Sequence, residues 1–380
     1  MRTTVEERLL TPGALARALE MRDLTDPSQG RHALQDLVDD LERKLSQVWS
    51  CRSIRQRTSP LVSVADNYDR LHYSPDAVTR DARYSRYVAP GWLLRTHTTA
   101  LIPPLLRSLA AAQLHDDVLL VCPGLVYRRD AIDRLHTGEP HQLDLWRVQP
   151  AAPLTVAELR QMIAYVVATV LPDRQHRVIP AVHPYTIDGL QIDVRAGEDW
   201  IEIGECGVAL PALLAESGLA VPPWSGLAMG LGLDRILMLR KGITDIRLLR
   251  SEDERVAAQM RDLNAYRPVS TQPAVCRDLS IAVDGETTIE ELGDRVREAM
   301  GDAATSLESL DVLSETPGAD LSAAAVARIG IRPDQKNVLL RLTIRHPTRT
   351  LTADEANELR DAVYAAVHQG DVWQWATRSE

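Results

Sequence analysis

The chain has 380 residues, 45% hydrophobic and 25% charged, a balance that excludes global disorder and gives length for two or three domains. Its net charge of −10 argues against a protein that coats nucleic acid non-specifically, so a nucleic-acid partner has to be met by a local patch. No run approaches the roughly 18 apolar residues of a membrane span, and acidic residues stand where a secretory signal needs an apolar core, so no membrane partner and a cytoplasmic location are expected.

Two compositional features stand out: only three lysines, and no phenylalanine at all. A GC-rich coding sequence thins both. Taking phenylalanine to zero over this length admits a second explanation, that the chain can be made when phenylalanyl-tRNA is scarce or mischarged. Four cysteines (Cys51, Cys122, Cys206, Cys276) at least 70 residues apart, with no CxxC pair, suggest free buried thiols and neither a disulfide framework nor a zinc knuckle.

In chain order, residues 33–49 place Leu34, Leu37, Val38, Leu41, Leu45 and Val48 at helical spacing. An amphipathic helix packed on the main domain is expected, with a coiled-coil or partner-binding arm as the rival. From about 60 to 250, apolar runs at 118–127, 190–194 and 200–205 alternate with helical stretches such as 156–170, which reads as strands flanked by helices around one core. After residue 266 the pattern restarts: a strand at 277–283, a helix at 287–300 opening on Thr288, strands near 306–314 and at 338–346, and a helix from Thr352 stopped by Gly370. That is the βαββαβ order of a ferredoxin-like module. The expected organisation is an N-terminal helical region (1–57), a central domain (58–266) and the C-terminal module (267–380).

Three central segments carry chemistry. VYRRDAIDRLHTGEPHQLD (126–144) ends an apolar strand in a cluster of cations and carboxylates, and a hairpin there would point Arg128 and Gln142 into one cleft. GLAMGLGLDR (226–235) is a glycine-rich strand entering a helix with Arg235 in its first turn, a combination suited to phosphate. RTHTT (95–99) is a compact set of donors. Each has a plainer explanation: a surface ion-pair network for Arg128-Arg129-Asp130, close packing for the glycines, and for His136 and His141 with Asp133 and Asp144 a metal site that lacks a well-spaced fourth ligand.

Taken together and in this order, the segments resemble motifs 2 and 3 and the RTHTS loop of the class II aminoacyl-tRNA synthetases, in particular the phenylalanyl-tRNA synthetases. HPYTIDGLQIDV (183–194) and WIEIGECGV (200–208) resemble that family's substrate pocket, and the C-terminal segment its ferredoxin-fold anticodon-binding domain. The likeness covers about 58–370 and is closest in layout to the single-chain organelle form. It implies an α+β fold: a class II antiparallel sheet flanked by helices, followed by a ferredoxin-like domain. It implies ATP-dependent activation of phenylalanine or an analogue and transfer to a tRNA, with ATP and Mg2+ required.

The resemblance puts Arg128 on the ATP α-phosphate and the amino-acid carboxylate, Arg235 on the γ-phosphate and His136 on the β/γ-phosphates, with Asp130 also in the ATP-binding set. It puts His97, Thr99, Gln142 and Asp144 on the amino acid's ammonium and carboxylate, Ala228 in the same pocket, and Glu202 near magnesium. The family's FPF motif is His183-Pro184-Tyr185 here, and its GCG turn is Glu205-Cys206-Gly207. A pocket built for benzene has thus acquired an imidazole, a phenol and a carboxylate, and either His183 and Glu205 satisfy each other or they face a polar group on another amino acid. Pro140 stands where a stacking phenylalanine is expected, and Asp234 replaces the motif 3 glutamate. The C-terminal segment from Pro268 holds 11 Arg and Lys against 19 Asp and Glu, yet Arg328, Arg332, Lys336, Arg341, Arg345 and Arg349 cluster, as a tRNA contact or as a solvated ion-pair face. Rival functions are a paralogue serving a different amino acid and acceptor, and a non-catalytic regulator or tRNA-binding module that keeps the fold. A monomer and a homodimer both remain open.

Overall fold

The computed structural model describes residues 9–113, 115–129, 133–269 and 272–374. The chain divides into two compact units, one of Met1–Arg128, Glu139–Ile243 and Gln259–Tyr266, the other of Arg129–Gly138, Thr244–Ala258 and Arg267–Glu380. The described part of the expected N-terminal region therefore lies within the first unit, while the described residues of 129–138 and 244–258 group with the C-terminal module.

The first unit begins with α1 (Pro12–Glu20) and α2 (Ala33–Trp49), then β1 (Arg52–Arg55), β2 (Leu61–Ser63), α3 (Val64–Asn67), β3 (Tyr87–Ala89), β4 (Trp92–Leu94) and α4 (Ile102–Ala111). It continues with β5 (Val118–Leu125), β6 (His141–Gln149), α5 (Val156–Val170), β7 (His176–Pro180), β8 (Thr186–Ala196), β9 (Asp199–Ala209), α6 (Pro211–Glu216), β10 (Ser225–Gly232) and α7 (Leu233–Lys241). Seven strands form one sheet in the order β1-β5-β6-β10-β9-β8-β7, antiparallel throughout except for the parallel β1–β5 edge. A small sheet, β2-β4-β3, stands beside it in the chain order.

Helix limits follow local chemistry. α5 starts where Thr155 and Glu158 form a reciprocal capping box, and α7 stops at Gly242 in the left-handed region (φ 70°). α2 buries Leu34, Leu37, Val38, Leu41 and Leu45 of the stripe read from the sequence against α5, α7 and β5, whereas Val48, expected in the same stripe, is exposed near the end of the helix. Strand alternation sorts the rest of the core. Leu120, Cys122, Trp146, Val148 and Ala228 point to one face, where Leu106 and Leu109 of α4 and Leu213 and Leu214 of α6 pack on them. Cys122 and Cys206 are buried as expected, but Cys276 is exposed and Cys51 only partly covered.

In the second unit α8 (Glu254–Gln259) is followed by β11 (Val275–Asp284), α9 (Ile289–Met300), β12 (Leu307–Pro317), α10 (Ala323–Ile329), β13 (Gln335–Ile344) and α11 (Ala353–Val367). The antiparallel order β11-β13-β12 is that of the first three strands of a ferredoxin-like sheet, with α10 inserted where a hairpin is usual. In place of a fourth strand, the described residues after α11 make single contacts such as Gln369 N–H to the Ala282 carbonyl. α11 ends at Val367, ahead of Gly370, because His368 turns extended, stacks on Tyr364 at 4.6 Å and accepts the Ala282 N–H at its Nδ1. Gly370 serves close approach: a Cβ there would meet the Ile329 carbonyl oxygen at 2.0 Å. Arg332, Lys336, Arg341, Arg345 and Arg349 all face carboxylates, Arg341 gripping Asp278 with two bonds of 2.8 Å. The expected basic cluster is thus an ion-pair face, of the kind that contributes little net stability when exposed.

β9 and β10 approach each other closely: a Cβ on Gly204 would stand 2.3 Å from the Gly230 carbonyl oxygen. Gly204→Ala should lower stability by about 1–3 kcal/mol, read as a reduced urea midpoint with an unchanged slope.

Candidate active site

Register places the polar side chains. Asp144 of β6 lies opposite Gly230 of β10, Gly230 opposite Glu205 of β9, and Glu205 opposite Gln191 of β8, so the four share one face of the sheet. Gln142 opposite Gly232, and Trp146 opposite Ala228, belong to the same face one step to either side. Gly230 and Gly232 carry no side chain there, which leaves the floor between Asp144 and Glu205 open. A register shift between Ile192↔Gly204 and Asp193↔Glu202 inserts one residue into β9. That bulge turns Glu202, rather than Ile203, onto the face that carries Glu205.

The 95–99 segment closes one wall. Arg95 is buried and donates from Nε to the Leu125 carbonyl at 2.6 Å, while Asn67 holds Thr96 through both its amide oxygen (3.1 Å) and its nitrogen (2.8 Å). So anchored, Thr99 Oγ1 (2.7 Å) and Thr98 Oγ1 (3.3 Å) donate to Asp144 Oδ2, and Trp146 Nε1 donates to Oδ1 at 2.8 Å. Burial raises the Asp144 carboxyl to about 6, against the pull of these donors. Gln142 Oε1 accepts the Thr98 N–H at 3.4 Å.

Aromatic rings line the chamber. Tyr73 stacks on His97 (5.7 Å between centroids), Tyr185 on Trp146 (6.1 Å), and Tyr185 touches Tyr73 (6.2 Å) and His183 (5.8 Å). Both ring nitrogens of His97 are buried with no hydrogen-bond partner. Burial, reinforced by the nearby Arg128 cation and only weakly opposed by the Asn67 backbone, lowers its pKa to about 3, so the ring is neutral. His183 Nδ1 meets Thr186 Oγ1 at 3.2 Å, and its Nε2 stands 2.9 Å from Glu205 Oε2. That second contact is an ion-pair distance without hydrogen-bond alignment, so Nε2 has no hydrogen-bond partner.

The charged end of the face holds Arg128, Glu202 and Arg235. Arg128 follows β5, is half-buried, and its Nε has no hydrogen-bond partner, while its carbonyl accepts from Arg86. Arg235, in the first turn of α7, donates to the Glu202 carbonyl at 2.8 Å. Burial and the neighbouring Glu205 raise the Glu202 carboxyl, and the Arg235 cation pulls it back. The donor set, the Glu202 carboxylate beside guanidinium groups with no cluster of three ligating side chains among the described residues, suits a hard cation held mainly by phosphate oxygens.

Eleven of the expected residues thus stand around this one face: Arg128, Arg235, Glu202, His97, Thr99, Gln142, Asp144, Ala228, His183, Tyr185 and Glu205. His136 belongs to the second unit, where its Nδ1 contacts Asp133 Oδ2 at 2.7 Å, and Asp130 lies outside the described residues. His141 is structural: its Nδ1 meets Asp234 Oδ1 at 2.8 Å and its Nε2 accepts the Leu24 N–H at 3.0 Å. The pairing explains the aspartate in motif 3, which serves the fold from its buried place. Tyr73, Trp146 and Asn67 escaped the sequence reading. Trp146 could have been found, two residues beyond Asp144 on the same strand face, whereas Tyr73 sits in a loop with no periodic signal.

The two shifted groups act on stability in opposite directions. His97, lowered from 6.5 to about 3, binds its proton more readily in the unfolded chain, so stability is lost as pH falls from 6.5 toward 3. Asp144, raised from 3.8 to about 6, binds its proton more readily when folded, so its contribution weakens as pH rises through that window. His97→Gln should lose less stability than the parent between pH 7 and pH 5, by about 2 kcal/mol, as measured by urea denaturation at both values.

Residues 21–260 match the family of tRNA synthetases class II core domain (F), and residues 270–370 match the ferredoxin-fold anticodon binding domain. The first match begins at residue 21 and so takes in α2. Among curated relatives, a phenylalanine–tRNA ligase alpha subunit of Prochlorococcus marinus (strain NATL2A) is 34% identical over 51% of this chain and 56% of its own length. The alpha subunit from strain MIT 9313 is 32% identical over 63% of this chain and 70% of its own length. A probable mitochondrial phenylalanine–tRNA ligase of Drosophila melanogaster is 26% identical over 83% of this chain and 77% of its own length. The chain spans little more than half the length of the first of these relatives. With its antiparallel sheet, its glycine-strand arginine and a match across most of its length, the chain belongs to the class II tRNA synthetase family.

Proposed function

We propose that the chain is an ATP-dependent aminoacyl-tRNA ligase of the phenylalanine–tRNA ligase kind, acting on phenylalanine or an analogue in the cytoplasm, where ATP and tRNA are found. The observation that carries this reading is the single sheet face on which Arg128, Arg235 and Glu202 adjoin an aromatic chamber floored by Asp144. An amino acid seated there would place its ammonium near Asp144, which is ionised at neutral pH, and its ring among Tyr73, Tyr185 and Trp146. His97, held neutral, adds no cation to repel the ammonium.

In the first step a carboxylate oxygen of the amino acid attacks the α-phosphorus of ATP, and the bond to pyrophosphate breaks. Arg128 would face the equatorial oxygens, its fixed guanidinium fork meeting the charge that develops there, and its unpartnered Nε supplies spare donor capacity. Arg235 would hold the terminal phosphates. A magnesium ion held by Glu202 with phosphate oxygens would neutralise part of the phosphate charge. In the second step a tRNA ribose hydroxyl attacks the carbonyl carbon of the adenylate and AMP leaves. The match to an anticodon binding domain supports a tRNA as acceptor.

The test is amino-acid-dependent ATP–pyrophosphate exchange, followed by charging of tRNA. Arg128→Ala should lower kcat/KM for exchange about 10²–10³-fold with an unchanged melting temperature, and Arg128→Lys should not restore it. Absence of exchange with every amino acid would overturn the proposal and favour the non-catalytic reading.

A further inference from the structure

One wall of the chamber contains an imidazole–carboxylate pair with unused hydrogen-bonding capacity. His183 is rigidly placed: Gly189 lets the 181–189 turn close so tightly that a Cβ there would lie 2.4 Å from the Ala181 carbonyl oxygen and 3.0 Å from His183 Nδ1, and Thr186 Oγ1 fixes the ring's tilt. The side chain is only 9% exposed, and its Nε2 has no hydrogen-bond partner. Glu205, 2.9 Å away, is 44% exposed. Among the described residues no N–H or O–H group donates a hydrogen bond to it, and its charge is felt at Tyr73 and Tyr185 on the walls and at Glu202 beyond. Glu205 stands on the open floor next to Gly230, in the row that begins at Asp144.

A bare hydrocarbon ring seated in this chamber would strip water from the Glu205 carboxylate and return nothing. A ring that ends in an O–H or N–H would donate to it. The carboxylate only accepts, so a donor is required, and the neighbouring imidazole can then take up the second oxygen. We infer that His183 and Glu205 make this site selective for an aromatic amino acid bearing a hydrogen-bond donor on its ring, a hydroxyphenyl or aminophenyl side chain, in preference to phenylalanine. The inference rests on the ligase reading above and deepens it. Sites that hydrogen-bond a substrate group discriminate strongly against the analogue lacking it, because their own polar atoms are then left unpaired.

The experiment is ATP–pyrophosphate exchange on the full chain with phenylalanine, tyrosine, 3-hydroxyphenylalanine and 4-aminophenylalanine. At least one donor-bearing substrate should exceed phenylalanine in kcat/KM by roughly 10²-fold or more. The double variant His183→Phe/Glu205→Gly should reverse that preference through KM and kcat for the ring substrates while leaving KM for ATP within a few-fold. Preference of the unaltered protein for phenylalanine would overturn the inference and leave the ligase reading standing. Exchange with no amino acid would sink both. If the double variant fails to fold, the substrate panel on the unaltered chain decides the matter by itself.

Discussion

The candidate site depends on the pairing register of β6, β10 and β9. Because side chains alternate across a strand, a slip of one residue in β10 would send Gly230 to the opposite face of the sheet and put Met229 or Leu231 between Asp144 and Glu205. The glycines of β10 serve two ends at once. Gly230 keeps the floor open, and its carbonyl accepts the close approach of Gly204 that holds β9 and β10 together. A side chain at either place would cost the sheet its fit or the chamber its volume. The bulge in β9 completes the arrangement, bringing Glu202 and Glu205 onto one side at a spacing that regular alternation would forbid.

Around that frame the electrostatics divide into satisfied and unsatisfied groups. Asp144 has three donors of its own, and the pairs Asp234–His141 and Arg86–Glu139 are likewise closed within the first unit. His97, Arg128 and His183, by contrast, keep buried nitrogens with no hydrogen-bond partner, and all three stand at the same face. Buried polar atoms are normally paired, so such a concentration in one place marks where a ligand completes the structure. The chamber brings together groups of different kinds: guanidinium groups and the raised Glu202 carboxyl, stacked rings, and the His183 imidazole beside the Glu205 carboxylate.

The second unit shows how charge arithmetic can mislead when read along a chain. Six cations within a short stretch looked like a patch for a polyanion, yet five of them face aspartates and glutamates brought in from β11, β12 and α11 and from neighbouring turns. Glu308, buried and reached by Arg134, Arg247 and Arg345, gathers cations from three separate segments of this unit. A tRNA bound by this module would have to be met by exchange of ion pairs or by surfaces other than this cluster.

The sequence by itself determined the elements whose causes are local. Thr155, Thr288 and Thr352 with their glutamates three residues on start helices, the stripe of α2 and the alternation in β8, β9 and β13 define buried faces, and the motif segments point to Arg128, Arg235 and the 95–99 loop. Only the tertiary structure decided the rest. The placing of Glu202 on the face of Glu205 needs a bulge set by the partner strand, and the burial of His97 needs Tyr73 from a distant loop. The end of α11 is imposed by His368 accepting the Ala282 N–H of β11, with Gly370 answering to close approach at Ile329 instead. Each of these is a contact between residues far apart in the chain, and propensity and periodicity act over only a few residues, so no window of sequence contains them.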